Sequence, residues 1–361
     1  MTRRKLNIIK QYSTFASHQY ISTSVHQYIS TSVHQYISTS VYQYISISVH
    51  QYMSFRWYII INPVAGNGLG KKKVHLLTSF LDKQGFLYEL AYTTFKGHAI
   101  SLAQQAVGQG YRHIIAAGGD GTANEVANGI MLQQAVPSHE VTFALFPVGT
   151  GNDWILTHRI PPQPEKWFAM LLQQKTTLQD VGLVKCRFSG QERERYFINV
   201  AGMAYDAYVV EQIENAHVKA SNKFRYMWWI LKCLFKYKLP HGTLSFNNLQ
   251  VKELFYTINA GICRYSGGGM QFVPHAIPDD GLLALTYAKK VSKIDLIINT
   301  PRFYSGTIVR HRQLATAQTK HITVEASEGS QILIETDGEL IGEAPVEISI
   351  LENALRIVIN G

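Results

Sequence analysis

The sequence predicts an α/β N-terminal domain with a parallel sheet plus a C-terminal β-sandwich domain. Three observations predict it. Apolar strands and amphipathic helices alternate from Trp57 to about Pro147, three of those strands end in glycine or small polar residues, and short β-rich runs replace the alternation after about Asp180. At 361 residues the chain exceeds one ordinary domain. The expected division is 53–180, completed by a C-terminal tail near 346–361, and 181–345.

The elements follow in order. A strand is expected near Trp57 to Asn62. A helix from about Lys72 to Gln84 would place Val74, Leu77, Phe80 and Leu81 on one face, and a strand follows near Leu87 to Thr93. A helix from His98 to Gly108, with Leu102, Ala103, Ala106 and Val107 together, leads to the strand that ends at Gly118. Later strands are expected at Tyr196 to Val200, Phe255 to Ala260, Leu282 to Tyr287, His321 to Glu325 and Gln331 to Thr336.

Residues 1–52 differ in kind. Gln11, Gln19, Gln27, Gln35, Gln43 and Gln51 each precede a tyrosine, in a near-perfect octad Gln-Tyr-Ile-Ser-Thr-Ser-Val-His. So short a repeat matches no solenoid period and cannot bury a core by itself. It reads as an addition, disordered or non-native, with Met53 as the natural start.

The net charge is +9, and Arg3, Arg4, Lys5 and Lys10 supply part of it in a segment without one acid. The modest surplus that remains suits anionic nucleotides and lipid head groups, and no nucleic-acid partner is expected. Cys186, Cys233 and Cys263 are far apart, which argues against a disulfide framework or a zinc site and suits a reducing cytoplasm. No apolar run is long enough to span a bilayer.

The chemistry concentrates at strand ends. His113 to Ala117 is an apolar strand that runs into Gly118-Gly119-Asp120-Gly121-Thr122 and then the helix-like Ala123-Asn124. Glycines let phosphate oxygens approach backbone amides at the positive end of a helix. Asp120 in such a cradle implies a shared cation, so a Mg²⁺-nucleotide is expected. Asn62-Pro63-Val64-Ala65-Gly66 and Pro147-x-Gly149-Thr150-x-Asn152-Asp153 end two further strands. Ligands of open α/β folds bind at that carboxyl edge.

These three segments, in this order and spacing, resemble the diacylglycerol kinase catalytic domain in its bacterial soluble lipid kinase form. Asn199-x-x-Gly202-x-x-x-Asp206-Ala207, Gly267-Gly268-Gly269 before Asp279-Asp280-Gly281, and Asp337-Gly338-Glu339 resemble later segments of that family. The resemblance runs from about Phe55 to the C-terminus. It implies a first domain like that of NAD kinases and phosphofructokinases, with the active site in a cleft between domains. It further implies ATP and Mg²⁺ as cofactors and a diacylglycerol-like lipid as acceptor. Nucleotide contacts fall on Asn62 to Gly66, Thr93, Gly118 to Asn124 and Thr150. The general base would be Glu339, with Asp337 beside it and Asp120 directing the metal. A second, structural cation would use Asp280 and the carbonyls of Ile277 and Leu282.

Lysines and aromatics interleave from Lys223 to Lys238, including Trp228 and Trp229, as in an interfacial helix. A cytoplasmic protein that meets the membrane surface peripherally is therefore expected, with a homodimer left open. A NAD kinase-like small-molecule kinase and a noncatalytic lipid-binding protein of the same fold remain alternatives. Deletion of residues 1–52 is expected to leave the melting temperature unchanged. Loss of soluble folded protein on that truncation would make the repeat part of the fold.

Overall fold

The computed structural model describes residues 56–68, 70–149, 152–216 and 223–361; the octad repeat, Thr150 and Gly151 lie outside them. Four strands of mostly β-branched and small apolar residues open the fold: β1 (Trp57–Ile61), β2 (Tyr88–Tyr92), β3 (His113–Gly118) and β4 (Thr142–Pro147). They pair in parallel in the order β4-β3-β1-β2. Strands β1, β3 and β4 are buried almost throughout, as strands covered on both faces must be. Helices α1 (Gly70–Lys83), α2 (His98–Gly108) and α3 (Asp120–Leu132) make the crossovers. The buried stripe of α2 is Ala99, Leu102, Ala103, Ala106 and Val107, the face its spacing predicts.

A short α4 (Trp154–Thr157) and α5 (Pro164–Gln173) lead to β5 (Thr176–Phe188), which forms a hairpin with β6 (Gln191–Phe197). Strand β7 (Val200–Ala204) precedes α6 (Tyr205–Asn215) and α7 (Lys223–Lys236). Then come β8 (His241–Phe246), β9 (Leu249–Gly261), the two-residue strands β10 (Tyr265–Ser266) and β11 (Met270–Gln271), and β12 (Leu283–Lys289). Helix α8 (Lys293–Tyr304), β13 (Leu314–Thr319), β14 (His321–Ala326), β15 (Leu333–Thr336) and the 20-residue β16 (Glu339–Val358) complete the chain.

From residue 56 onward these elements pack as one compact unit. Fourteen of the described strands form one continuous sheet whose main path is β13-β12-β9-β7-β15-β16-β4-β3-β1-β2, and β10 and β11 pair apart from it. The junction is β16, which pairs antiparallel with β15 and β5 and then, at Arg356 and Ile357, parallel with Thr142 and Phe143 of β4. Strand β5 runs straight through residue 180, where composition alone suggests a boundary.

A tight contact at Gly182 holds the β5–β6 hairpin flat. A Cβ there would lie 2.0 Å from the ring of Phe197, which is itself fully buried. Gly182→Ala therefore overpacks a closed site, and a loss of about 1–3 kcal/mol in urea unfolding is expected. Unchanged stability would mean that the Phe197 ring swings aside freely.

Candidate active site

Three strand ends meet where the sequence places a nucleotide. At the end of β1, Asn62 Nδ2 donates to Thr122 Oγ1 (3.1 Å), and its Oδ1 accepts the Val64 N–H (3.1 Å). One side chain thus ties the end of β1 to the first turn of α3 and folds its own turn. Pro63 and Ala65 are half-buried and Val64 is exposed. Gly66 has φ of 65°, and a Cβ on it would lie 2.5 Å from the Val148 carbonyl, so only glycine lets these backbones touch. Thr93 is held alongside by its N–H to Ile61 O (2.9 Å).

Helix α3 starts immediately after this cluster, with Gly119 extended before it and no side-chain cap. The first-turn amides of Asp120, Gly121 and Thr122 have no partner within the helix. They face the anion end of the dipole. Helix α2 is the contrast: there Glu125 accepts the N–H groups of Gly97 (2.9 Å) and Ala99 (3.2 Å), which fills that helix start with an internal acid.

Ala123 and Asn124, expected at the nucleotide, are turned elsewhere. The Ala123 amide bonds Gly119 O (3.0 Å) and its side chain is buried. Asn124 is buried with all its polar valence used inside the protein. It donates to Tyr196 O (3.1 Å) and Asp337 Oδ2 (2.7 Å) and accepts from Asn128 Nδ2 (3.1 Å) and Arg195 Nη2 (2.8 Å). This face of α3 packs on β6 rather than on the cradle. Thr150 falls outside the described residues.

Asp120 opens α3, and its carboxylate accepts the N–H groups of Asp153 (2.7 Å) and Trp154 (3.3 Å). Burial, and next the Asp153 carboxylate, push its pKa up to about 7. Asp153 Oδ2 in turn accepts the Gly268 N–H (2.7 Å), so the acid pair links the cradle to the Gly267–Gly269 turn. The adjacent Asn152 Oδ1 is buried without a partner. Two crowded carboxylates and an orphaned carbonyl form an all-oxygen donor set that suits Mg²⁺.

The turn between β15 and β16 carries the expected base. Asp337 sits in the left-handed region (φ 49°). Its carboxylate accepts four donors: Asn124 Nδ2 (2.7 Å) and the N–H groups of Ile198 (3.0 Å), Asn199 (3.1 Å) and Val200 (3.0 Å). Burial still raises its pKa, against the pull of those bonds. So saturated a group positions its neighbours and has no lone pair directed at a substrate. Two residues on, Glu339 is partly exposed. Its Oε1 pairs with Lys96 Nζ (3.0 Å) and its Oε2 with Arg195 Nη2 (2.8 Å). Arg195 Nε is buried with no hydrogen-bond partner.

At the loop of Ile277, Asp280 and Leu282 the Asp280 carboxylate is already bonded within the protein. Asp280 Oδ1 accepts the Leu282 N–H (3.0 Å), which closes its own turn, and Oδ2 accepts from Gln318 (3.0 Å). Ile277 is exposed. Asp180, which the sequence reading passes over, binds this loop through the Gly281 N–H (2.7 Å) and β16 through the Asn353 N–H (2.7 Å). Among the described residues no cluster of three or more His, Cys, Asp or Glu is arranged to hold a metal.

Between α6, α7 and α8 lies a cavity of about 60 Å³. Its walls include Val209, Leu231, Leu234, Leu296 and Phe303, and Asp206, Thr257 and Thr300 are among the polar residues that line it. Thr257 Oγ1 donates to Asp206, whose pKa burial raises to about 6. Glu335, also buried, lies next to Asp206 across Gly202 and accepts the Gly338 N–H (2.8 Å). Burial holds its carboxyl well above the usual range. Of the paired tryptophans, Trp228 is exposed, but Trp229 packs with Tyr205, Val209 and Cys233 in a satellite core. Among the described residues no helix is long and apolar enough to cross a membrane.

The start of α3 and the acid-bearing Glu339 turn are joined through Arg195 and Asn124. Residues 56–184 match the family model described as the diacylglycerol kinase catalytic domain, and residues 199–359 match the one described as the YegS C-terminal NAD kinase beta sandwich-like domain. The chain belongs to this family of bacterial diacylglycerol kinases and YegS-like lipid kinases. It is 28% identical over 302 residues to a diacylglycerol kinase of Staphylococcus epidermidis (strain ATCC 12228 / FDA PCI 1200), across 83% of this chain and 90% of that one. It is 24% identical over 300 residues to the diacylglycerol kinase of Bacillus subtilis (strain 168), across 83% and 95% of the two chains. The crystal structure of a diacylglycerol kinase from Bacillus anthracis str. Sterne shares the fold, with a TM-score of 0.61 at 20% identity over 85% of this chain and 97% of that one.

Asp120, Asp206, Glu335 and Asp337 all bind their protons more tightly folded than unfolded. Raised folded pKa values mean that stability is lost as pH climbs from the ordinary carboxyl value of 3.8 towards about 7. A lower urea midpoint is therefore expected at pH 8 than at pH 5.5, with a smaller difference in Asp120→Asn. Equal midpoints would show these carboxyls to be better solvated than their burial implies.

Proposed function

We propose that this protein is an ATP-dependent lipid kinase that transfers the γ-phosphoryl group to the hydroxyl of a diacylglycerol-like lipid. In this reading residues 53–180 with 346–361 serve the nucleotide, and 181–345 serve the acceptor. One observation carries it. Arg195 touches both Asn124, two residues past the open amides of α3, and Glu339, so cradle and acid share one rigid support.

The amides of Asp120 to Thr122 and the Asn62 to Gly66 turn would receive phosphate oxygens, with Thr93 and Thr150 at the edge of the nucleotide. Asp120 and Asp153 would hold Mg²⁺, which when bound neutralises phosphate charge. The like charges of Asp279 and Asp280, which help raise the pKa of Asp180, support a second cation near Ile277, Asp280 and Leu282. Glu339 accepts the proton of the acceptor hydroxyl as the new P–O bond forms and the bond to the leaving diphosphate breaks. A carboxylate paired with two cations is a weak base, so Lys96 must swing towards the incoming phosphoryl oxygens while Arg195 stays in place on Asn124. Lys96 is mostly exposed and free to do this, and Arg195 Nε is a donor in reserve. Asp337 positions this turn, and Glu335 anchors it to the cavity where acyl chains would lie.

Glu339→Gln keeps size and hydrogen bonding but not basicity. Turnover on lipid is expected to fall by about a hundred- to ten-thousandfold, while nucleotide affinity stays within about twofold. Asp120→Asn is expected to abolish transfer and to weaken Mg²⁺-dependent nucleotide binding. Unchanged turnover in Glu339→Gln removes it as the base; unchanged Mg²⁺ dependence in Asp120→Asn removes the metal assignment.

A further inference from the structure

Two large apolar side chains stand in the open beside the phosphate cradle. Val64, in the turn after β1, is 68% exposed, and Phe95, in the loop after β2, is 66% exposed. The two segments leave the sheet side by side, because Ile61 pairs with Tyr92 in parallel register and the Thr93 N–H then bonds Ile61 O (2.9 Å). Asn62, the next residue of the first segment, is the one that reaches Thr122 of α3. A lone exposed apolar residue is ordinary, but phosphate oxygens gain nothing from an isopropyl group or a phenyl ring. Two such groups at the rim of a polyanion site fit the uncharged, aromatic end of the same ligand.

Phe95 is already stacked on one face. That face lies against the His98 ring, with centroids 4.6 Å apart and planes 13° apart. His98 is fixed in turn: its Nδ1 accepts the Thr94 N–H (3.1 Å) and lies 3.0 Å from Thr94 Oγ1, which puts the ring proton on Nε2. His98 also opens α2, where the Glu125 carboxylate accepts the Gly97 and Ala99 amides, so an internal acid already occupies this helix start. What the loop presents outward is the aromatic pair. A ring held from below and open above loses little freedom when a second ring settles on it.

We infer that the free face of Phe95, with Val64 in the neighbouring turn, holds the base of the phosphoryl donor by stacking, and that overlap area rather than hydrogen bonding to the base edge sets the choice of donor. Purine nucleotides are then preferred to pyrimidine ones, and adenine and guanine bind with similar strength. Every base has a π-face, and two fused rings cover more of a phenyl group than one. The Thr94 amide and hydroxyl, the polar groups next to Phe95, are turned to His98. This rests on the proposed use of the α3 amides for phosphate and adds what reads the rest of the nucleotide.

Calorimetric titration of the full chain with Mg²⁺ and ATP, GTP, CTP, UTP or inorganic tripolyphosphate tests the platform without lipid. Wild type should bind ATP and GTP within about threefold of each other, and CTP and UTP about tenfold more weakly. Phe95→Ala should weaken ATP by about ten- to hundredfold and tripolyphosphate, which has no base, by less than about twofold. Phe95→Trp should restore ATP binding to about the wild-type level. His98→Ala, which removes the ring beneath, should weaken ATP by a smaller factor, and wild-type melting of each variant shows that the fold survives. Unchanged ATP affinity in Phe95→Ala overturns the inference. An equal loss for ATP and tripolyphosphate does so too, because it makes Phe95 a support for the phosphate turn, as does a wild type that binds ATP far more tightly than GTP. A wild type that binds neither ATP nor tripolyphosphate removes the phosphate cradle and the proposed function with it, a result distinct from all the others.

Discussion

The carboxylate of Asp337 is the constraint on which the site depends. A charge taken out of water is tolerable only when its lone pairs are met, and this one accepts four donors at 2.7–3.1 Å. Three are successive amides from Ile198 to Val200, so the acid fixes the corner between β6 and β7. The fourth, Asn124, belongs to the first turns of α3, where the phosphate amides lie. The left-handed backbone at Asp337 then turns the chain so that Glu339 comes out beside Lys96 and Arg195. One buried carboxylate thus sets the distance between the start of α3 and Glu339.

A second carboxylate link works by tension rather than saturation. Asp120 and Asp153 crowd each other, and each also grips backbone amides from a different loop. Without a cation the pair keeps a proton near neutral pH.

Much of this was legible in the residues. Alternating strands and amphipathic helices place α1, α2 and β1–β4 correctly because burial on both faces of a parallel sheet leaves a strong periodic trace. The glycine-rich and Asp-Gly-Glu segments point to Asp120 and Glu339 because close backbone approach and a left-handed turn restrict residue type locally. What escaped was long-range. Arg195 sits in Gln-Glu-Arg-Glu-Arg, which reads as a solvated hairpin, and only its meeting with Glu339, over a hundred positions away, gives it a role. Asn124 looks like part of the cradle, but the packing of α3 on β6 turns it inward. Trp228 and Trp229 are adjacent, and no local pattern tells which of them faces Tyr205 and which faces out. Asp180, Glu335 and Gly182 likewise acquire meaning only from partners the fold delivers.

The long strand β16 has a consequence for how the molecule comes into being. Phe143 in β4 receives its neighbour Ile357 only after more than two hundred intervening residues have been made. Until then the nascent four-stranded sheet presents a bare, mostly apolar parallel edge, the kind of surface that invites wrong partners. A contact so distant in sequence is slow to close. The protein's most vulnerable interval therefore falls late in its synthesis, when most of its core already exists and only the final strand is missing.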